Sequence, residues 1–378
     1  MNYLRRPFGQ GPRISTFTLG TMRAISSPQQ MYDVVEAAFF AGINHIETSP
    51  VYGPAEEFLG EALQSLQQKA IYPEGGLVVT SKILPGVSFK EGKTKIKNML
   101  SRLSLSRIDN LAIHGINLED HLHWTLNGEG ADLLKWAEEE NLIGQVGFSS
   151  HGSLPLIKEA ITSHRFGFCS LHLHLLDPER LPLARIALKQ GMGVMAISPA
   201  DKGGQLYRPS KTLIEDCHPI SPIELAYRFL LAQQITTLTI GATKIEDLNL
   251  ARKLTSEIQP LNIQEQSAIK RLNENERMRL GETFCGQCRA CLPCPNNIPI
   301  TDILRLRNLN IGHDLITFTK ERYNLINKAG HWWETVNASS CKGCGECIPR
   351  CPNNLQIPNL LEDAHIRMAD KPSRRLWD

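Results

Sequence analysis

The sequence predicts a (β/α)8 barrel followed by a small cysteine-rich C-terminal domain. Two observations predict it. Eight short β-rich runs alternate with amphipathic stretches over about 250 residues, the length of such a barrel. Eight of the ten cysteines then fall after residue 284.

The β-rich runs are residues 16–22, 45–49, 77–83, 110–116, 144–150, 169–176, 193–199 and 237–242. Between them, stretches such as 29–41, 54–69, 131–141 and 222–234 carry apolar residues at three- and four-residue spacing, the mark of a helix with one buried face. A doubly wound open sheet is the rival architecture. It usually has fewer strands, and no G-x-G-x-x-G follows the first run here. The barrel is placed at 1–275. The polar, helix-prone stretch 262–282 leads out of it, the cysteine-rich domain occupies 283–360, and 361–378 reads as a tail without a clear period.

Lys plus Arg (41) nearly balances Asp plus Glu (39), so no charge excess draws the chain to nucleic acid or an anionic membrane. "MNYLRRPFGQGPRIS" lacks the apolar stretch of a signal peptide, and no later segment is apolar enough to span a bilayer. The expectation is a cytoplasmic protein, whose thiols stay reduced; crowded cysteines there argue for metal rather than disulfides.

Cys341, Cys344, Cys347 and Cys351, with Pro352 after the last, form C-x2-C-x2-C-x3-C-P, the run that holds a 4Fe-4S cluster in bacterial ferredoxins. Gly343 and Gly345 allow the positive φ angles that wrapping a small object needs. Cys285, Cys288, Cys291 and Cys294, with Pro295, repeat the run with one residue fewer before the fourth cysteine. Two zinc sites of four cysteines each are the alternative, although zinc usually draws on two separated C-x2-C pairs. In two-cluster ferredoxins the fourth cysteine of each run serves the other cluster. That pairing would join Cys285, Cys288 and Cys291 with Cys351, and Cys341, Cys344 and Cys347 with Cys294. A single cluster on the second run is the other arrangement. Cys169 and Cys217 read as buried or incidental thiols. The aromatic group "GHWWE" (330–334) reads as packing that shields a cluster.

Catalysis in such a barrel belongs at the C-terminal ends of the strands. There the sequence offers Glu47 and Tyr52 after the second run, Lys82 closing the third and His114 closing the fourth. "GINHIETSPVYG", "VVTSKI" and "LAIHG" resemble the aldo/keto reductases, whose tetrad is Asp, Tyr, Lys and His in this order. "VGFSSHG", "AISPADKGGQL" and "TLTIGATKIEDL" extend the resemblance across the whole barrel. With its thiols, the chain resembles the branch of these oxidoreductases that carries a ferredoxin-type domain.

The resemblance implies reduction of a small carbonyl substrate by NADPH, or the reverse oxidation of an alcohol. Tyr52 would be the acid. Lys82, as a nearby cation, would lower the phenol's pKa, and Glu47 would hold the lysine. His114 would orient the carbonyl oxygen. Ser149, Ser198, Gly241, Ala242, Thr243 and Lys244 would hold the cofactor, with the Gly241–Lys244 turn suited to a phosphate and Lys244 to the 2′-phosphate.

The chain departs from the family at three points. Glu47 stands for Asp, Ile197 for the tyrosine that stacks on the nicotinamide, and Leu250-Ala251 for a Glu-Asn pair. His151, His172 and His174 add polarity after the fifth and on the sixth strand, as pocket walls or as a metal site. Hydride moves two electrons and a cluster one, so the clusters would serve an electron-transfer partner or be structural. The competing function is a non-catalytic electron carrier or assembly module on a degenerate barrel.

Overall fold

The computed structural model describes residues 4–201, 204–255, 259–328, 330–332 and 334–370. The chain forms two compact units. One comprises 1–204 and 226–261; the other comprises 205–225 and 262–378.

The first unit is the barrel. A two-stranded antiparallel hairpin comes first, β1 (Arg5–Phe8) and β2 (Gly11–Ser15). Eight parallel strands follow: β3 (Phe17–Gly20), β4 (His45–Glu47), β5 (Val78–Ile83), β6 (Ile108–Ile113), β7 (Ile143–Ser150), β8 (Phe168–His172), β9 (Gly193–Ile197) and β10 (Thr237–Gly241). They close in sequence order, with β10 pairing both β9 and β3. All six residues of β5 are buried, as expected of a strand covered on both faces. Each of the eight predicted β-rich runs overlaps one barrel strand; β6, β7 and β8 begin one or two residues ahead of theirs.

The barrel interior is polar as well as apolar. His45 on β4 meets Thr18 Oγ1 on β3 at 2.8 Å and Thr80 Oγ1 on β5 at 2.7 Å. Thr18 reaches Thr237 on β10 at 2.7 Å, Asn110 on β6 donates to Thr80 at 3.1 Å, and Gln145 on β7 donates to Asn110 at 2.7 Å. Burial holds the His45 ring neutral, its pKa pushed down to about 3.

The hairpin, which the sequence reading missed, packs at the N-terminal ends of the strands. Phe8 is fully buried, its ring 4.9 Å from that of Phe168, the first residue of β8. Gly193 opens β9 without a side chain because a Cβ there would overlap the Phe8 ring. Gln145 Nε2 donates to Phe8 O at 2.8 Å and its Oε1 accepts from Gln10 N at 3.0 Å, tying the hairpin to the interior network.

Among its described residues the second unit contains helices and turns and no strand. Its longest helices are Ile263–Leu280, Ile300–Gly312 and Ile357–Met368. The apolar faces of the last two share a core with Cys285, Cys291, Cys347 and Cys351. Asp216, on the helix Lys211–Cys217, takes both ends of the Arg279 guanidinium at 2.6 and 2.8 Å, fastening that helix to Ile263–Leu280. The start of the predicted tail is helical through Met368, with Leu361, Ala364 and Met368 buried on one face. Residues 371–378 lie outside the described residues.

Candidate active site

Glu47 ends β4 in register with Thr80 of β5, and Lys82 stands two residues beyond Thr80 on the same face. The two side chains therefore meet one layer above the His45–Thr80 contact, at the C-terminal mouth of the barrel. Both are buried and form an ion pair. Tyr52 follows in a turn that its own N–H closes onto Ser49 O at 3.0 Å. Its hydroxyl accepts from Lys82 Nζ at 2.7 Å and donates to Glu47 Oε1 at 3.3 Å. Lys82 also donates to Thr48 O at 3.3 Å.

His114 directly follows β6, its N–H bonded to Ile83 O at 2.7 Å. Its ring stands edge-on to Tyr52, centroids 6.0 Å apart, and Ser49 Oγ lies 3.2 Å from Nδ1. Tyr52, Lys82, Glu47 and His114 are thus brought together. Ser49 completes the group as a residue that no sequence signal marked beyond its place in "ETSPVYG".

Burial sets the electrostatics. It raises the Tyr52 phenol above its ordinary range and lowers Lys82 well below that of an exposed lysine. Desolvation disfavours the phenolate, so Tyr52 is held as the neutral acid. The arrangement can deliver a proton from Tyr52 to an oxygen that His114 orients.

The other predicted residues divide. Ser149, at the end of β7, accepts from Gly115 N at 3.1 Å, so it braces the loop that carries His114. Ser198 follows β9 with a left-handed backbone, φ 53°. At the end of β10, Thr243 N and Oγ1 donate to Asp247 Oδ2 at 2.8 and 2.9 Å, and Lys244 N donates to the same oxygen at 3.3 Å. Burial raises Asp247. These bonds, with Arg23 nearby, outweigh it and hold the carboxyl below its ordinary value. The sequence reading overlooked Asp247, although an acid three residues after Lys244 is a helix-start signal.

His172 Nε2 lies 3.0 Å from His151 Nε2, and the His172 and His174 rings are 5.8 Å apart. Among the described residues no three His, Cys, Asp or Glu side chains are grouped so as to hold a metal ion.

In the second unit, Cys294, Cys341, Cys344 and Cys347 line one small cavity together with Ile300 and Leu361. Burial raises the Cys347 thiol, and Cys341, Cys344 and Cys294 add to that. Burial likewise raises Cys285, with Cys288 and Cys351 adding to it, and pushes Cys291 up to about 11, with Cys285, Cys288 and, from the second run, Cys347 adding to it. Cys294 thus lies with Cys341, Cys344 and Cys347, and Cys351 with Cys285 and Cys288, in two adjoining neighbourhoods that Cys291 and Cys347 link. Cys169 and Cys217 are buried free thiols. In the aromatic group, Gly330–Trp332 form a short 3-10 turn and Trp333 lies outside the described residues.

An eight-stranded parallel barrel with a half-buried tyrosine on a buried Lys–carboxylate pair at its mouth defines an oxidoreductase of the barrel type. The family model for the Aldo/keto reductase family matches residues 16–274, and the chain belongs to that family. It is 27% identical over 291 residues to "Uncharacterized oxidoreductase YqkF" of Bacillus subtilis (strain 168), covering 65% of this chain and 90% of that one. The solved aldo-keto reductase AKR11C1 from Bacillus halodurans, in its holo form, superposes with a TM-score of 0.59 at 21% identity, over 71% of this chain and 96% of that one. NADP(H) is the family's typical cofactor. No helix among the described residues is long and apolar enough to cross a membrane.

Proposed function

We propose that this chain is a cytoplasmic, nicotinamide-dependent reductase of a small carbonyl compound, or oxidant of the matching alcohol, whose C-terminal unit holds 4Fe-4S clusters. The observation that carries the first part is Tyr52 Oη, 2.7 Å from Lys82 Nζ and within reach of the Glu47 carboxylate. When bound, the nicotinamide supplies or takes the hydride. Tyr52 gives its hydroxyl proton to the carbonyl oxygen, leaving a phenolate that Lys82 stabilises by charge and hydrogen bond. Glu47 keeps the Lys82 ammonium aimed at Tyr52. His114, fixed by Ser49 and its backbone bond to Ile83, orients the carbonyl oxygen. Ser198, Gly241, Ala242, Thr243 and Lys244 would hold the nicotinamide cofactor, and Ser149 supports the His114 loop.

Support for the clusters comes from the donor set. Cys294, Cys341, Cys344 and Cys347 line a cavity with apolar walls. Cys285, Cys288, Cys291 and Cys351 form the second neighbourhood. The thiolates of a cubane each bind a different iron, so they spread around the cluster instead of converging on one ion. Thiols that burial keeps protonated would lose protons to iron on binding. Bound clusters would pass single electrons, to a protein partner or between the two neighbourhoods.

The test is anaerobic purification with iron, sulfide and zinc analysis, alongside carbonyl turnover by the native chain and by Tyr52→Phe. About eight irons with matching sulfide, and turnover that Tyr52→Phe removes while nicotinamide binding persists, are expected. Zinc without labile sulfide would sink the cluster reading, and full turnover by Tyr52→Phe the catalytic one.

A further inference from the structure

The β10 turn was read from sequence as a phosphate cradle, and the structure fills that cradle with the chain's own anion. Asp247 Oδ2 accepts three hydrogen bonds, from Thr243 N, Thr243 Oγ1 and Lys244 N. A phosphate at this turn would need the same donors. Two anions cannot share them without strong repulsion, since like charges at hydrogen-bond range oppose each other. Arg23, packed over Gly241 where a Cβ would meet its Cδ at 2.8 Å, lies close enough to stabilise the Asp247 carboxylate. The charge of Arg23 is therefore already shared with Asp247.

We infer that Asp247 is a specificity-determining residue that turns this chain away from the 2′-phosphate and toward the unphosphorylated dinucleotide, NAD(H). The inference rests on the nicotinamide reading above and narrows it. A carboxylate beside an unphosphorylated ribose meets hydroxyl donors, with which it can bond. Beside a phosphorylated one it meets a second anion. The bias arises mainly by penalising the wrong ligand, which needs no additional contact to the right one. Asp247 also caps the short turn Ile245–Leu248, and that plain structural role is the alternative to exclude.

The test is equilibrium titration of the full chain with NADH and NADPH by quenching of tryptophan fluorescence. Asp247→Asn keeps a capping acceptor without the charge, and Asp247→Ser removes the long acceptor. The native chain is expected to bind NADH about tenfold or more tighter than NADPH. Both variants should close that gap, chiefly by tightening NADPH. Equal or tighter NADPH binding by the native chain overturns the inference while leaving the nicotinamide reading intact. So does an unchanged ratio in both variants, which would leave Asp247 as a cap only. Failure of the native chain to bind either nucleotide overturns both readings together.

Discussion

One carboxylate serves two partners: Glu47 pairs with Lys82, and its Oε1 also accepts the Tyr52 hydroxyl at 3.3 Å. Aspartate, the family's usual residue, is shorter by one methylene, about 1.5 Å. It would have to give up one of these contacts. Glu47→Asp should therefore lower kcat roughly ten- to a hundredfold, within the range of general acid catalysis, with nicotinamide affinity unchanged. Stopped-flow and steady-state assays separate the two quantities, and equal or faster turnover by the aspartate variant would show that Glu47 is not matched to this pocket.

Glu47→Gln keeps the shape and removes the charge. Lys82, already lowered by burial, then loses its counter-charge and deprotonates at still lower pH. The alkaline limb of the kcat/KM profile should move to lower pH. A profile that stays in place would separate Glu47 from the lysine's titration.

His45 should make the barrel acid-sensitive. Its folded pKa is depressed from 6.5 to about 3 by burial. The unfolded chain therefore binds more protons in that window. Its contribution to stability is fully present above pH 6.5 and falls as the pH drops toward 3, by at most about 1.4 kcal/mol per pH unit. Urea titrations at pH 7 and pH 5 should show a steeper loss for the native chain than for His45→Gln. Parallel losses would assign the acid sensitivity to other groups.

The hairpin plug should be stabilising rather than decorative. Phe8→Ala removes a fully buried ring from the contacts with Phe168 and His45 and should cost about 3–4 kcal/mol. Gly193→Ala should be damaging in the native chain and better tolerated beside Phe8→Ala, because the clash is with that ring. Additive losses in the double variant would rule out the shared contact.

The two cysteine neighbourhoods predict which substitutions behave alike. Cys285→Ser and Cys351→Ser, 66 residues apart in sequence, should remove the same cluster signal in electron paramagnetic resonance, and their combination should remove no more. Cys294→Ser should group instead with Cys341→Ser. Signals that sort by run would refute the crossed grouping.

The barrel was legible because eight short β-rich runs alternate with amphipathic stretches, and the catalytic group was legible because each member sits at a strand end or in the loop that follows it. What stayed hidden depends on contacts distant in sequence. Nothing in "RPFGQGPRIS" marks Phe8 as a plug until Gly193 and Phe168 are seen around it. Desolvation of Tyr52 is likewise a property of the closed barrel. Two signals were present and passed over: the acid at 247 after Lys244, and the spacing of Leu361, Ala364 and Met368 that marks a helix face in the predicted tail.

The neighbourhood joining Cys285 to Cys351 also sets an order of events during synthesis. A ribosome releases Cys285, Cys288 and Cys291 together, but their fourth companion arrives only with the last part of the chain. Cys294 in turn waits for Cys341, Cys344 and Cys347. Neither set can be completed on a nascent chain that has shown only its first run. In the proposed crossed grouping, a chain ending between residues 347 and 351 would keep Cys294 with Cys341, Cys344 and Cys347 and leave Cys285, Cys288 and Cys291 without their fourth thiol.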